Sequence, residues 1–285
     1  MTIVVTGATG QLGGQVVTDL LSRIPAGEIA AVVRNPDKAA DLAARGTEIR
    51  IGDYSRPETL GGAFGPGERV LLISTNVPGA ERIAQHRAAI DAAKAAGIAL
   101  LAYTSVLNAP TATFSIAHDH QATEQLIADS GLPSVMLRNG WYNENYTGFL
   151  GPTLDAGRVF GAAGDGRVAT AAIADFAAAA AVVLTMDEPE PVYELSGDTA
   201  WSLAEFAAEV SRQSGREITY RSMDPAEYKA IMIGAGVPEA GADALLEADA
   251  AIERGELAAT PGDLRRLIGR PTTPIADSIR AALPA

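Results

Sequence analysis

The chain has no cysteine among its 285 residues. That excludes disulfides, thiolate metal sites and cysteine nucleophiles, and it fits a reducing compartment. Aromatic residues make up only 5%, so Ala, Val, Leu and Ile must build most of any core. Positive charge is also short. Lys and Arg number 22 against 35 Asp and Glu, a net charge of −13. Such a surface repels phosphate backbones and argues against non-specific nucleic-acid binding. The opening MTIVVTGATG has no positive n-region and no cleavage site, and its apolar run is far too short to span a membrane. It reads as the first strand of a folded domain, with the cytoplasm as the default location.

What is present is alternation. Short apolar runs over 2–6, 29–34, 48–51, 69–74, 98–103 and 133–137 predict buried strands. Helical stretches over 11–23, 36–44, 57–64, 80–96 and 116–129 lie between them, and Gly46, Gly97 and Gly131 stand where left-handed C-caps belong. Strands alternating with helices predict an α/β protein with a doubly wound parallel sheet. The expected division is a dinucleotide-binding domain over 1–150 and, over 151–285, a mixed segment forming mainly a smaller α+β lobe that covers the substrate. In that second half an Ala-rich helix is expected over 173–185, with Asp175 near its start as a cap or a favourable dipole charge. A strand over 192–195, a helix from Ser202, a strand over 217–221 and three or four further helices follow. Ser202 with Glu205 has the spacing of a capping box. Trp201 reads as lobe packing, and the acidic stretch 239–256 as a solvated helical face.

Gly7, Gly10 and Gly13 fall at three-residue spacing between the first strand and the first helix. Gly7 would permit a tight turn, Gly10 would let the backbone approach a pyrophosphate, and Gly13 would let helix and strand pack closely. The helix N-terminus then offers N–H groups to the anion. Ala8, Thr9, Gln11 and Leu12 complete this candidate loop. The second strand ends at Arg34, where an NAD site usually carries Asp or Glu. Arginine cannot accept from a ribose 2′-OH but pairs well with a 2′-phosphate, so NADP is the expected cofactor. Asp53 is placed either to meet the adenine region or to serve as a turn aspartate.

The run TGATGQLG with Arg34 resembles the NmrA-like branch of the atypical short-chain dehydrogenase/reductases. The later run LRNGWYNENY is similar to the bacterial type 2 NAD(P)H:quinone oxidoreductases, and the resemblance extends over nearly the whole chain. It implies that Ser74, Thr75 and Asn76 line the cofactor. It also implies that Asn139, Gly140, Trp141 and Tyr142 flank the nicotinamide and an acceptor pocket, with Tyr103, Thr104 and Ser105 on the same edge. All of these stand at C-terminal ends of predicted strands, where open α/β sheets bind ligands. Trp141 and Tyr142 have the alternative reading of a plug between the lobes.

Carbonyl reductases of this superfamily usually carry Tyr-x-x-x-Lys, whose tyrosine protonates the developing alkoxide. None of the seven tyrosines here has lysine four residues on. A ketone needs that proton, whereas a hydroquinone anion is a stabilised phenolate. The missing dyad therefore favours a quinone or similar small conjugated acceptor. His120 stands where isoflavone-reductase-like relatives place a lysine, which makes it, with Asn139 and Tyr142, a candidate catalytic residue. His118 and His120 would point to different faces of one helix, so no metal is expected. Two other readings stay open: a non-catalytic NADP-binding regulator of NmrA type, and a carbonyl, enone or imine reductase using His120 or solvent as acid. A homo-oligomer is compatible with all three.

Overall fold

The computed structural model describes residues 1–284. The first half runs β1 (Ile3–Thr6), α1 (Gln11–Leu21), β2 (Ile29–Val33), α2 (Ala40–Ala44), β3 (Glu48–Ile51), β4 (Arg69–Leu72), α3 (Ala80–Ala96), β5 (Leu100–Val106), α4 (Ser115–Ser130) and β6 (Ser134–Asn139). The second half runs β7 (Trp141–Tyr142), α5 (Glu144–Thr147), α6 (Leu150–Ala156), β8 (Arg158–Val159), β9 (Arg167–Ala171), α7 (Ile173–Thr185), β10 (Val192–Leu195), β11 (Ala200–Ser202), α8 (Leu203–Ser214) and β12 (Thr219–Tyr220). It ends with α9 (Pro225–Gly234), α10 (Glu239–Glu253), α11 (Asp263–Ile268) and α12 (Ile275–Ala282).

Seven strands form one parallel sheet in the order β10-β6-β5-β4-β1-β2-β3. Its two faces follow from strand alternation. Val5, Ala31, Leu71, Ala102 and Leu137 face the layer of α1, α7 and α11. Val4, Val32, Val70, Leu101 and Tyr103 face Ala89, Ile90 and Ala93 of α3 and Ile127 of α4. Both faces are covered, which is why the strands read as unbroken apolar runs. A second core, built on Trp201, Leu203, Phe206, Val159 and Ile252, holds the smaller lobe and reaches back to Val106 and Phe114. Trp201 packs there against Phe206 and donates its indole N–H to Thr170 at 2.8 Å.

The second half is not all lobe. Strand β10 adds to the edge of β6, pairing Leu195 with Asn139, and the alanine-rich α7 packs against α1. The lobe itself carries two small sheets, β11-β9-β7 and β12-β8.

Several local expectations change. The stretch 36–44 begins as a 3-10 turn, Pro36–Ala39, because the Asn35 side chain accepts from Asp37 N–H at 2.9 Å and sets a tight start. The stretch 57–64 is a 3-10 turn, Pro57–Gly62, whose glycines disfavour a regular helix. Strand β5 starts and ends later than its apolar run, since it follows β6 as far as the pairing of Val106 with Asn139. Asp175 lies in the first turn of α7 but does not cap it. Fully buried, it accepts from Thr273 N–H at 2.6 Å and pairs with Arg270 at 2.6 Å, tying the C-terminal segment to the sheet layer. The acidic stretch is not simply a solvated face. Asp249 is buried and accepts from Ala162 N–H at 2.6 Å, while Glu247 and Glu256 accept the amides of Ser115 and Thr113. The capping box at Ser202 and Glu205 forms as expected.

Candidate active site

A cleft of about 480 Å³ opens beside the C-terminal ends of β1, β2 and β4. Its position is where the strand order reverses, between β1 and β4. Gly7 turns the chain out of β1 with φ +57°, in the left-handed region that only glycine enters freely. Gly10 N–H donates to Gly7 O at 2.9 Å, and Gly10 stands at the N-cap of α1. A β-carbon on Gly13 would come within 2.3 Å of the Gly7 carbonyl oxygen. Thr9, Gln11 and Leu12 line the cleft with these three glycines, while Ala8 is sealed beneath the turn. This cradle fits a pyrophosphate: it has a helix N-terminus with no acidic residue in its first turn and no side chain filling the approach.

Beyond β2, Arg34 lines the cleft and is exposed; among the described residues it has no hydrogen bond or ion pair. Asp53 also lines the cleft, and at the same time it is a turn aspartate. Its carboxylate accepts from Ser55 N–H and Oγ at 3.0 and 2.7 Å and from Arg56 Nε at 3.2 Å. Tyr54 walls the cleft with its hydroxyl held on Thr6 Oγ1 and Ile73 O.

Ser74, Thr75, Asn76 and Thr104 line the far end, where Tyr142 and Ile173 add an apolar wall. The Tyr142 ring packs on Phe176 with centroids 5.1 Å apart, and its hydroxyl stands 3.4 Å from Asn139 Nδ2. Burial raises the Tyr142 hydroxyl above its usual pKa. Asn139 lies just behind this wall. Its Oδ1 is buried and receives no hydrogen bond from the described residues. Gly140 lies behind it too, where a β-carbon would meet Leu195 O at 3.0 Å. Trp141 turns the other way, pairing with β9 and packing on the lobe core.

Three more expected residues, Tyr103, His120 and Ser105, sit behind the cleft. Tyr103 alternates to the opposite face of β5 from Ala102 and is fully buried there. Its hydroxyl lies 2.7 Å from His120 Nδ1. Burial, with the Arg82 cation and His86 nearby, lowers the His120 pKa to about 3. His120 is therefore neutral inside the α3–α4 layer, while His118 two positions earlier is exposed. Ser105 is likewise turned from the cleft, donating to Glu124 Oε1 at 2.5 Å.

Gln85 and Ile173 line the cleft without having been read from the sequence. Gln85 sits in the middle of α3 and Ile173 at the start of α7, and neither carries a local motif. Their places depend on how those helices dock. Tyr54, Gly52 and Val77 flank expected residues, and their neighbours were the signal for them.

A parallel sheet whose first strand feeds a glycine turn into a helix N-terminus, with an unpaired arginine beyond the second strand, defines a dinucleotide-binding protein of Rossmann type. The chain belongs to the NAD(P)H-binding family, whose family model matches residues 7–182. Quinone oxidoreductase 2 of Escherichia coli (strain K12) is 45% identical over 278 residues, 97% of each chain. The crystal structure of the NADPH-dependent quinone oxidoreductase of E. coli complexed with NADPH matches with a TM-score of 0.95 at 44% identity, over 98% of this chain and 99% of that one. The triphenylmethane reductase of Citrobacter sp., complexed with NADP(H), matches with a TM-score of 0.94 at 37% identity, over 99% of this chain and 100% of that one.

Proposed function

We propose that the protein is an NADPH-dependent reductase that passes a hydride to a quinone or similar small conjugated acceptor. The observation that carries the cofactor choice is Arg34. It is an exposed cation with no protein partner, set at the one rim of a glycine-lined cleft where a 2′-phosphate would lie. The acceptor class is supported by full-length similarity at 45% identity to a quinone oxidoreductase.

The residues divide the work by position. Gly7, Gly10 and Gly13 with the first turn of α1 would hold the pyrophosphate, and Arg34 the 2′-phosphate. Ser74 to Val77 and Thr104 would border the nicotinamide half, while Tyr142 and Ile173 exclude water from one side. Asn139 lies behind that wall and would act on the site only through the Tyr142 hydroxyl, which stands 3.4 Å from its Nδ2. The dinucleotide supplies the hydride when bound, and the chain supplies binding and orientation. The overall balance is quinone plus NADPH plus one proton giving hydroquinone plus NADP⁺. The proton is taken up by a phenolate-like oxygen, so no positioned strong acid is required. That matches an arrangement in which His120 is neutral and lies behind the cleft wall.

The test is absorbance at the reduced-nicotinamide band with purified protein, NADPH and a simple benzoquinone, corrected for the uncatalysed background. Saturable, protein-dependent oxidation that prefers NADPH to NADH is expected. Tight NADPH binding without turnover would replace this reading with that of a dinucleotide sensor.

A further inference from the structure

The segment joining β4 to α3 borders the cleft, yet residues 74–78 make no backbone–backbone hydrogen bond among the described residues. Side chains hold it instead. Ser74 N–H donates to Thr104 Oγ1 at 2.9 Å, Thr75 N–H to His86 Nε2 at 3.0 Å, and Gly79 N–H to Asp119 Oδ2 at 2.7 Å. The Val77 carbonyl accepts from Arg82 Nε at 2.8 Å. All four side chains are buried. Such groups are costly to bury unless their hydrogen bonds are made, so this tether has one arrangement that satisfies it.

His86 is the member whose state matters. To accept from Thr75 its Nε2 must be bare, which puts the ring proton on Nδ1. Nδ1 lies 2.9 Å from Thr123 Oγ1, and the Thr123 hydroxyl is itself committed to Asp119 O at 2.8 Å. Thr123 can then only accept from His86, and the tautomer is fixed. Burial and the neighbouring Arg82 cation keep the ring neutral, with a pKa of about 3. Once Thr75 is tied, Asn76 and Val77 carry the remaining amides of the segment with no protein acceptor, since Pro78 has none to offer. Both residues line the cleft.

We propose that His86 is a positioning residue for the cofactor. Its neutral imidazole holds Thr75 N–H and so fixes the segment that presents the Asn76 and Val77 amides to the nicotinamide half of the cleft. His86 itself does not line the cleft and acts only through Thr75. The inference rests on the cleft being the NADPH site.

The first test uses the unmodified protein. Long-range ¹H–¹⁵N correlations of the His86 ring at pH 7 are expected to show the Nδ1–H tautomer; the Nε2–H tautomer would overturn the proposal. The second compares His86→Gln with His86→Leu by NADPH titration and thermal melting. Glutamine can place an amide oxygen near the Nε2 position, whereas leucine offers no acceptor. The leucine variant is expected to bind NADPH about tenfold more weakly, the loss of one hydrogen bond, with the glutamine variant closer to wild type. Equal NADPH affinity in folded leucine and wild-type proteins would also overturn it, as would equal weakening in both variants in step with their melting temperatures. Failure of the wild type to bind NADPH would instead remove the proposed cofactor site.

Discussion

Gly13 stands directly over Gly7: a β-carbon at position 13 would lie 2.3 Å from the Gly7 carbonyl oxygen and 2.9 Å from Ala8 Cα. Both obstacles are backbone, so neither can rotate aside. The next residue is different, because a β-carbon on Gly14 would meet only Ala8 O at 3.5 Å, an ordinary contact. The turn and the helix are thus locked to each other through one glycine of the pair.

Gly13→Ala is therefore expected to displace the loop, abolish measurable NADPH binding by titration and lower the melting temperature. Gly14→Ala places a better helix former in α1 without a clash and should raise stability by roughly 0.5–1 kcal/mol while leaving NADPH affinity near wild type. Equal behaviour of the two variants would contradict the packing described.

Arg34→Ala separates the two dinucleotides. A charge-assisted contact to a phosphate is worth about 1.5–3 kcal/mol, or roughly ten- to a hundredfold in affinity. That loss should fall on NADPH and spare NADH, which has no 2′-phosphate to lose. Parallel titrations with both cofactors decide it; the same loss for each would refute the assignment of Arg34.

How far the sequence reached depended on whether a feature was local. The β1 turn and α1 were legible because glycine spacing and an apolar run lie side by side, and Arg34 because it ends a short buried strand. The insertion of β10 beside β6 was not, since only pairing across 56 positions defines it, as the Arg138–Glu194 contact shows. Tyr103 was read as the end of its strand, but it lies in the middle of β5, fully buried on the face turned from the cleft. Its phase depends on β5 running on to Val106. His86 carried no signal, because its partner is a loop amide with no side-chain signature.

Arg138 ties three elements together. It pairs with Glu124 of α4 at 2.7 Å and with Glu194 of β10 at 2.8 Å, while Glu124 also holds Ser105 and Glu194 holds Asn108 N–H. All three charged side chains are at least three-quarters buried. Arg138→Met would leave two carboxylates facing a low-dielectric site with no cation. An unfolding free energy lower by about 3 kcal/mol or more is expected in urea titrations. A change below about 1 kcal/mol, the range of exposed pairs, would show that water reaches the network.

The buried titratable groups oppose one another in acid. His86 and His120 are held near pKa 3 by burial, so in the unfolded chain, where histidine titrates near 6.5, each binds a proton that the folded state refuses. Stability from this source is complete above about pH 6.5 and is lost as pH falls toward 3. Asp249 works in reverse, since burial raises it from 3.8 to about 6, and the folded state keeps a proton that the unfolded chain releases. Its contribution is lost as pH rises from about 4 to 6. Between about pH 5.5 and 6, where carboxylates lowered by the fold such as Glu48, Glu205, Glu209 and Glu256 are ionised in both states, the unfolded chain therefore gains two protons against one, and unfolding free energy should rise with pH by about 1.4 kcal/mol per unit. Asp249→Asn removes the opposing group while an amide oxygen can still accept from Ala162 N–H. The slope should then double to about 2.8 kcal/mol per unit, and the variant should be more stable than wild type at pH 7 but not at pH 4. Urea titrations across this range check both slopes. An unchanged slope in the variant would mean that the Asp249 carboxyl is ionised and solvated in the folded lobe, and a flat wild-type profile that the two histidines reach water.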